Sequence, residues 1–325
     1  MKHLNTFKYV LLTGALMVFA IDFTPGLLLA QQLPISDFAI FSGNGGPGTT
    51  NPGADGYGVM FAAPPTGTSG AIGSYASVTS TASANIAVNI NSGGTVTLAN
   101  GNSVSGKITA ANTAGISGTV LQVGSNANLT GKIDVNGNIV VGSGVVAGPV
   151  TTPGTYTGPA PLNGVIHGAP SLPILPALPS ITNFPAAGST NITANKTITP
   201  GSYGNVTLGG SKTLTFNGAG TYVFNSINLN GNNNFVYNFQ NLSGGVIKIY
   251  VYGDVTLSKL KASTTNGGSA SQIYLETHGT GASSTSGKDA FTIKNDGNAG
   301  GAAVKFLGTV WAPYAAITIG SGPGV

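Results

Sequence analysis

The chain contains no cysteine and no arginine, and only 6% of its 325 residues are charged. Without cysteine, disulfide bonds cannot stabilise an exported fold, so burial and backbone hydrogen bonding must do so. Without arginine, the bidentate guanidinium contact of many phosphate and carboxylate sites is missing. The net charge of +4 comes from scattered lysines. With no lysine-rich run, we predict no nucleic-acid partner.

The one long apolar run of the sequence lies at its N-terminus. Lys2 and Lys8 precede the apolar residues 9–21, which is typical of a secretory signal peptide. We predict that residues 1–31 form this signal, with cleavage near Ala30, and that the remainder is secreted or held at a bacterial cell surface. An uncleaved membrane anchor is the alternative.

Short alternating or β-branched segments recur through the rest of the chain, and Gly or Asn separates them. SGKI (105–108) returns 25 residues later as TGKI (130–133), and NVTL (205–208) returns in degenerate form as SINL and DVTL. Intervals of about 20 to 30 residues are typical of one coil of a β-solenoid. We therefore predict an all-β fold, a β-solenoid (β-helix). A two-sheet sandwich is the alternative.

Nine of the eighteen prolines lie between residues 148 and 186. Proline lacks a backbone N–H and favours polyproline conformation, so this segment is not a central strand. Its apolar Ile174, Leu175 and Leu178 predict that it packs along the solenoid or caps an end, rather than forming a flexible spacer. The predicted organisation is a signal peptide (1–31), N-terminal solenoid repeats (32–147), a proline-rich connector (148–186) and a C-terminal solenoid domain (187–325).

Several motifs in the C-terminal part carry a resemblance to a known family. They are PGSY (200–203), GTYVF (220–224), IYVYGDV (249–255) and GTVWAP (308–313). Across about 199–322 the chain resembles bacterial extracellular β-solenoid domains of uncharacterised function, found in surface and adhesin-like repeat proteins. The resemblance implies a structural or adhesive role outside the cell and no catalytic residues. Because the final GSGPGV lacks a polar cap, we also predict that the C-terminal domain is truncated or continues into something else.

A second resemblance is to bacterial ice-binding solenoids, carried by FAIFSGNGG (38–46), PGSYGNVTL (200–208) and GTVWAPYAAITIGSG (308–322). Those proteins order water on a flat face of regularly spaced Thr, Ser and Ala. Thr-x-Thr pairs occur here at 95/97, 197/199 and 213/215, but their intervals do not match a common coil length. Exposed threonines on ordinary strands explain them as well. Ice binding is therefore the alternative function.

Residues suited to catalysis or metal binding are sparse. A solenoid glycosidase needs two carboxylates about 5–9.5 Å apart; the closest candidates in sequence are Asp289 with Asp296, and Glu276 with His278. KNDGNAGG (294–301) lacks the regular acid spacing of calcium loops. We predict no enzymatic activity, no cofactor and no metal site. A polysaccharide-active β-helix enzyme ranks third among the hypotheses.

Outward side chains near the C-terminus predict a binding surface instead. Strand alternation in VIKIYVYG places Lys248, Tyr250 and Tyr252 on one face, and in SQIYLETHG it places Tyr274 outward. Trp311, the only tryptophan, faces outward if the same alternation holds. Aromatic faces suit sugar rings, so these five residues are the candidate site for a glycan or cell-surface ligand. The alternative is that the proline-rich segment covers them. Membrane contact is expected only through the signal or a missing anchoring module.

Overall fold

The strand segments of the sequence form parallel strands that stack as a β-solenoid in the computed structural model. The structure describes residues 32–43, 58–61, 70–111, 118–177, 184–242, 244–282, 289–294 and 306–320. Strands that pair among these residues run parallel, so the predicted all-β solenoid is confirmed. Within the described residues, we find no helix with the length and apolar character needed to cross a membrane.

The strands before the connector are β1 (Phe38–Ser42), β2 (Gly58–Phe61), β3 (Ala71–Ser74), β4 (Ser77–Ser80), β5 (Asn85–Ile86), β6 (Ile90–Ser92), β7 (Val96–Leu98), β8 (Ser103–Val104), β9 (Ile108–Ala111), β10 (Thr119–Val123), β11 (Asn128–Leu129), β12 (Ile133–Asn136), β13 (Asn138–Val141), β14 (Val146–Ala147), β15 (Val150–Thr152), β16 (Tyr156–Thr157) and β17 (Val165–His167).

The strands after it are β18 (Lys196–Ile198), β19 (Gly201–Ser202), β20 (Asn205–Gly209), β21 (Thr213–Asn217), β22 (Gly220–Phe224), β23 (Ser226–Asn230), β24 (Asn234–Asn238), β25 (Ile247–Val251), β26 (Val255–Ser258), β27 (Lys261–Thr265), β28 (Ile273–Thr277), β29 (Asp289–Lys294), β30 (Thr309–Ala312) and β31 (Ala316–Ile319). Two 3₁₀ helices span Ile35–Asp37 and Ala270–Gln272.

The stacked strands make three faces. The first face is a 12-stranded sheet in the order β17-β15-β12-β9-β6-β3-β1-β30-β28-β25-β22-β19. The second face is an 11-stranded sheet in the order β16-β13-β10-β7-β4-β2-β31-β29-β26-β23-β20. The third face consists of two four-stranded sheets, β14-β11-β8-β5 and β18-β21-β24-β27. The chain visits the three faces in turn, which is what a solenoid coil requires.

The first and last coils of the chain lie side by side in the middle of the stack. On the first face β1 pairs with β3 and with β30, and on the second face β2 pairs with β4 and with β31. The N-terminal half winds away from this point to β17, and the C-terminal half begins at the opposite end and winds back. The last described coil is therefore an interior coil of the stack, because β30 and β31 have neighbours on both sides. Most of GSGPGV lies outside the described residues, so the predicted truncation stays a prediction.

The proline-rich connector lies against the first face. The backbone N–H of Leu33 donates to the carbonyl of Ile174 at 2.8 Å, and the hydroxyl of Tyr75 donates to the carbonyl of Pro176 at 2.8 Å. The connector begins later than the predicted residue 148, since β15, β16 and β17 add a further coil up to His167. The early prolines do not prevent this because they lie between these strands, where no ladder N–H is needed.

The interior is built from apolar side chains stacked in register. One inward column of the first face contains Ile40, Ile72, Ile90, Ile108, Ile133 and Val150, all of them fully buried. In the C-terminal half Phe216 stacks on Tyr237, with ring centroids 5.1 Å apart. Each buried aliphatic side chain contributes roughly 1.5–3 kcal/mol. Because only neighbouring coils cover these side chains, the stack rather than the single coil is the stable unit.

Buried hydroxyl groups fix the corner between the first and second faces. Ser92, Thr152 and Thr277 each end a strand of the first face and are almost inaccessible to solvent. Each accepts the backbone N–H two residues later, at 3.0 to 3.2 Å. Each also donates to a carbonyl oxygen of the preceding coil. At these three positions the corner thus joins adjacent coils, and each buried hydroxyl both donates and accepts a hydrogen bond.

Two lysines neutralise a buried carboxylate on the first face. The side chain of Asp134 is 0% exposed, and its Oδ2 lies 2.8 Å from Nζ of Lys107 and 3.0 Å from Nζ of Lys132. Lys107 also donates to the Ser171 carbonyl of the connector at 3.2 Å. Burial raises the pKa of Asp134, but the hydrogen bonds and charges of the lysines outweigh it, and the pKa lies below its usual value.

We expect Asp134→Asn to destabilise the fold at neutral pH by about 1–3 kcal/mol, because it removes hydrogen bonds to a buried charge. Since the folded-state pKa is lowered, this stabilisation is present above the ordinary aspartate pKa of about 3.9 and is lost as the pH falls through the folded-state value. Thermal unfolding followed by circular dichroism should therefore show wild type and variant converging in acid.

The matched control is Asp37→Asn, which changes an exposed carboxylate and should alter stability by less than about 0.5 kcal/mol. A gap between wild type and Asp134→Asn that is the same at neutral and acid pH contradicts the assignment.

Candidate functional site

One outward column of the second face is rich in threonine. The register of the eleven strands aligns positions 157, 140, 122, 97, 79, 60, 318, 292, 256, 228 and 207 across the sheet. Seven of these positions are Thr; the other four are Val140, Gln122, Met60 and Asn228. Parallel strands lie about 4.8 Å apart, so this threonine column is roughly 50 Å long.

The two ends of the threonine column are more open to solvent than its middle. Thr157 and Thr207, at opposite ends, are exposed, whereas Thr292 is buried. Thr318, next to Thr292, donates to Oδ1 of Asp289 at 2.8 Å. The remaining members Thr79, Thr97 and Thr256 are half-buried. The column therefore offers accessible hydroxyl and methyl groups in both halves of the solenoid.

The local sequence explains why these threonines point outward. In VTL (96–98), VTL (206–208), VTL (255–257) and ITI (317–319), the residues on either side of Thr are buried. Because successive side chains of a strand point to opposite faces, two inward neighbours force the threonine outward. Threonine is β-branched, so its χ1 angle is restricted. The flanking core residues thus fix both the position and the orientation of the column.

The Thr-x-Thr pairs of the sequence do not identify this column. Of the threonines in those pairs, only Thr97 belongs to the column. Thr197, Thr213 and Thr215 lie on the third face. A common interval does not reveal the column, because 18 residues separate positions 79 and 97 whereas 25 separate positions 97 and 122. The signal that was present is a single threonine between two aliphatic residues, repeated from strand to strand.

The five residues predicted as a binding surface all lie on the outer side of the first face or directly beside it. Lys248 and Tyr252 are exposed, and Tyr250 and Tyr274 are half-buried. Trp311 occupies an outward position but is only 6% exposed. The predicted alternation is therefore correct, but only Lys248 and Tyr252 of the five side chains are exposed to solvent.

Trp311 is covered by the first coil and the connector. Its strand position lies directly opposite Phe41 of β1. It packs in an apolar cluster with Phe38, Phe41 and Leu175. The two phenylalanine rings meet edge to face, with centroids 4.6 Å apart. The side chains that cover the indole thus come from the first coil of the same chain and from the connector.

Phe184 of the connector covers Tyr250 and Tyr252 in part. Its ring stacks on the imidazole of His278, with centroids 3.8 Å apart and planes inclined by 20°. It also meets Tyr250 and Tyr252 edge to face, at 5.1 Å and 4.9 Å. The apolar faces that a sugar ring needs are therefore occupied in part by the chain itself.

A carboxylate lies buried beneath this contact. Glu276 accepts a hydrogen bond from the Tyr274 hydroxyl at 2.6 Å, and its second oxygen lies 2.6 Å from Nε2 of His278. Strand alternation directs these three side chains to one face, and the structure brings them into contact. Burial, then the charge of Glu276 and the hydrogen bond to it, raise the pKa of Tyr274. The cluster thus lies where Phe184 joins the connector to the first face.

The other residues considered for chemistry are not brought together by the structure. Asp296 and the loop 295–301 lie outside the described residues. Among the residues that the structure describes, we find no group of three or more His, Asp or Glu able to hold a metal ion. His167 ends β17 and is exposed. The threonine column is therefore the most regular candidate site.

Comparison of the chain with known protein families, with curated proteins and with solved structures finds no match.

The negative charge of Glu276 affects the pKa values of three nearby tyrosines. Burial first, and then the charge of Glu276, raise the pKa values of Tyr250, Tyr274 and Tyr314. Because Glu276→Gln removes that charge, the pKa of all three should fall towards the usual tyrosine value of about 10. NMR titration of ring-labelled tyrosine measures each shift. Tyr237, whose pKa burial alone raises, is the internal control. Unchanged titration of all three neighbours contradicts the prediction.

Proposed function

We propose that this protein is a secreted, non-catalytic ice-binding protein and that the threonine column of the second face is its ice-contacting surface. The observation that carries the proposal is the in-register alignment of seven threonines across eleven parallel strands. The predicted signal peptide and the resemblance to ice-binding solenoids support the same function.

The spacing of the column supports contact with a crystal lattice. Parallel strands repeat every 4.8 Å or about that distance, which is close to the repeat of hexagonal ice along its a axis. Where threonines occupy adjacent strands, as Thr79 and Thr97 do, each presents one hydroxyl group and one methyl group at this repeat. Water molecules held between successive methyl groups and bonded to the hydroxyl groups can therefore adopt an ice-like arrangement along the column.

The stiffness of the column supports the proposal as well. Six of the seven threonines, all except Thr157, lie between two buried residues. Thr97, for example, lies between Val96 and Leu98, which are 0% and 2% exposed. The β-branch limits χ1 before any ligand arrives. A preorganised surface loses little conformational entropy on binding. The threonine hydroxyl and methyl groups are therefore already in position when the protein contacts an ice lattice.

Apart from Asp289, which accepts a hydrogen bond from Thr318, small neutral side chains flank much of the column. Outward positions beside it are occupied by Ser77, Asn138, Asn205, Ser226 and Asn230. Small neutral side chains hold water less strongly than carboxylates or ammonium groups. The water layer over this part of the second face is therefore easier to reorganise into ice than the layer over a charged surface.

An adhesive role, the first expectation from sequence, receives less support. It rests on Lys248, Tyr250, Tyr252, Tyr274 and Trp311, and the connector or the first coil covers three of them in part or fully. The two exposed side chains do not repeat along the stack. A repeated surface favours a repeated ligand such as a crystal face.

Substituting two members of the column tests the proposal. The double variant Thr97→Tyr with Thr207→Tyr places bulky rings in both halves of the column, where they prevent close approach of ice. We expect thermal hysteresis and inhibition of ice recrystallisation, measured with the purified protein at micromolar concentration, to fall at least severalfold.

The matched control is Thr215→Tyr, the same change at an outward position of the third face, which should leave both activities unchanged. Circular dichroism checks that all variants retain the β fold. Absence of activity in the wild-type protein, or full activity in the double variant, refutes the proposal.

A further inference from the structure

A cavity of about 400 Å³ lies beside the N-terminal segment on the first face. Residues 33–38 form one part of its wall, and residues 87–91, which lead from β5 into β6, form another. Its size falls at the lower end of the range for small-molecule sites, about 300–1,000 Å³. It lies on a different face from the threonine column and plays no part in the proposed ice contact.

A largely buried asparagine lines this cavity. Asn91 is 6% exposed, and its Oδ1 accepts a hydrogen bond from the Thr109 hydroxyl at 2.8 Å. That bond fixes the plane of the amide and leaves Nδ2 with two N–H groups to donate. Nδ2 has no hydrogen-bond partner among the described residues. Because both N–H groups are still able to donate, an acceptor on a ligand in the cavity can bind to them.

A second amide is oriented in the same way. Oδ1 of Asn89 accepts the backbone N–H of Lys107 at 2.8 Å, so that its Nδ2 also remains a donor. Asp37, in the wall formed by the N-terminal segment, supplies a carboxylate acceptor. Leu33 and Val88 add apolar surface. The cavity therefore combines fixed donors, a charged acceptor and an apolar wall.

The combination selects the chemical class of the ligand. An anion is disfavoured because Asp37 would repel it, and a metal cation is disfavoured because amide N–H groups cannot coordinate it. A hydroxyl group accepts from an amide and donates to a carboxylate at once. A sugar ring adds C–H groups that can lie against Leu33 and Val88. We propose that this cavity is a binding site for one or two rings of a neutral saccharide.

The test uses a panel of neutral monosaccharides and disaccharides, glucose, galactose, mannose, N-acetylglucosamine, maltose and lactose, at millimolar concentration with the purified protein. Saturation-transfer difference NMR should detect binding of at least one of them to the wild type. Ala87→Trp fills the cavity from an exposed position, so the signal of the bound sugar should be lost.

The matched control is Ser105→Trp, the same large side chain at the corresponding position one coil away, as the pairing of Ile86 with Val104 shows. It should bind sugar like the wild type. Asn91→Asp keeps the acceptor for Thr109 but removes the donor, and it should weaken binding at least severalfold.

Circular dichroism and thermal unfolding confirm that each variant is folded before binding is compared. The inference is overturned if no sugar of the panel binds the wild type, or if Ala87→Trp binds as well as Ser105→Trp. Because the Thr97 and Thr207 substitutions lie on another face, they should not change sugar binding, so the two proposals can fail separately.

Discussion

The pairing of β1 with both β3 and β30 is the interaction on which the rest of the structure depends. Without the first coil, each half of the solenoid would end at an unpaired sheet edge, and such edges favour aggregation. With it, the two halves form continuous sheets of twelve and eleven strands. Because of this pairing, the end of the N-terminal half and the start of the C-terminal half lie at opposite ends of the stack. The connector links them along the first face and covers aromatic side chains there.

The parallel register set by this stacking also produces the candidate ice-binding surface. Hydrogen bonds between adjacent strands fix which residue lies opposite which, and the buried aliphatic neighbours prevent a slip by one residue. Thr256 consequently lies opposite Thr292, and Thr292 opposite Thr318, although the intervals between them differ. The threonine column thus follows from core packing, whereas the cavity beside Asn91 follows from the way the N-terminal segment crosses the outside of the first face.

Much of the local structure was predictable from sequence because side-chain period is a local property. Alternation correctly placed Ile247 and Ile249 in the core and Lys248 outside, and it put Tyr274 and Glu276 on one face. The buried ion pair between Asp134 and Lys107 was not predicted, since Lys107 lies in the preceding coil. The threonine column was missed for the same reason: its members are neighbours only after coils of unequal length have stacked.

The sequence by itself determined an all-β chain, the inward or outward direction of its strand side chains, and the placement of prolines between the described strands rather than within them. These follow from strand period and from the missing N–H of proline. Only the tertiary structure decided that the first coil lies between the two halves, that Trp311 is buried against Phe41, and that seven threonines align. Parallel coils of similar shape can stack in many orders, and the local pattern of one coil carries no information about which coil becomes its neighbour.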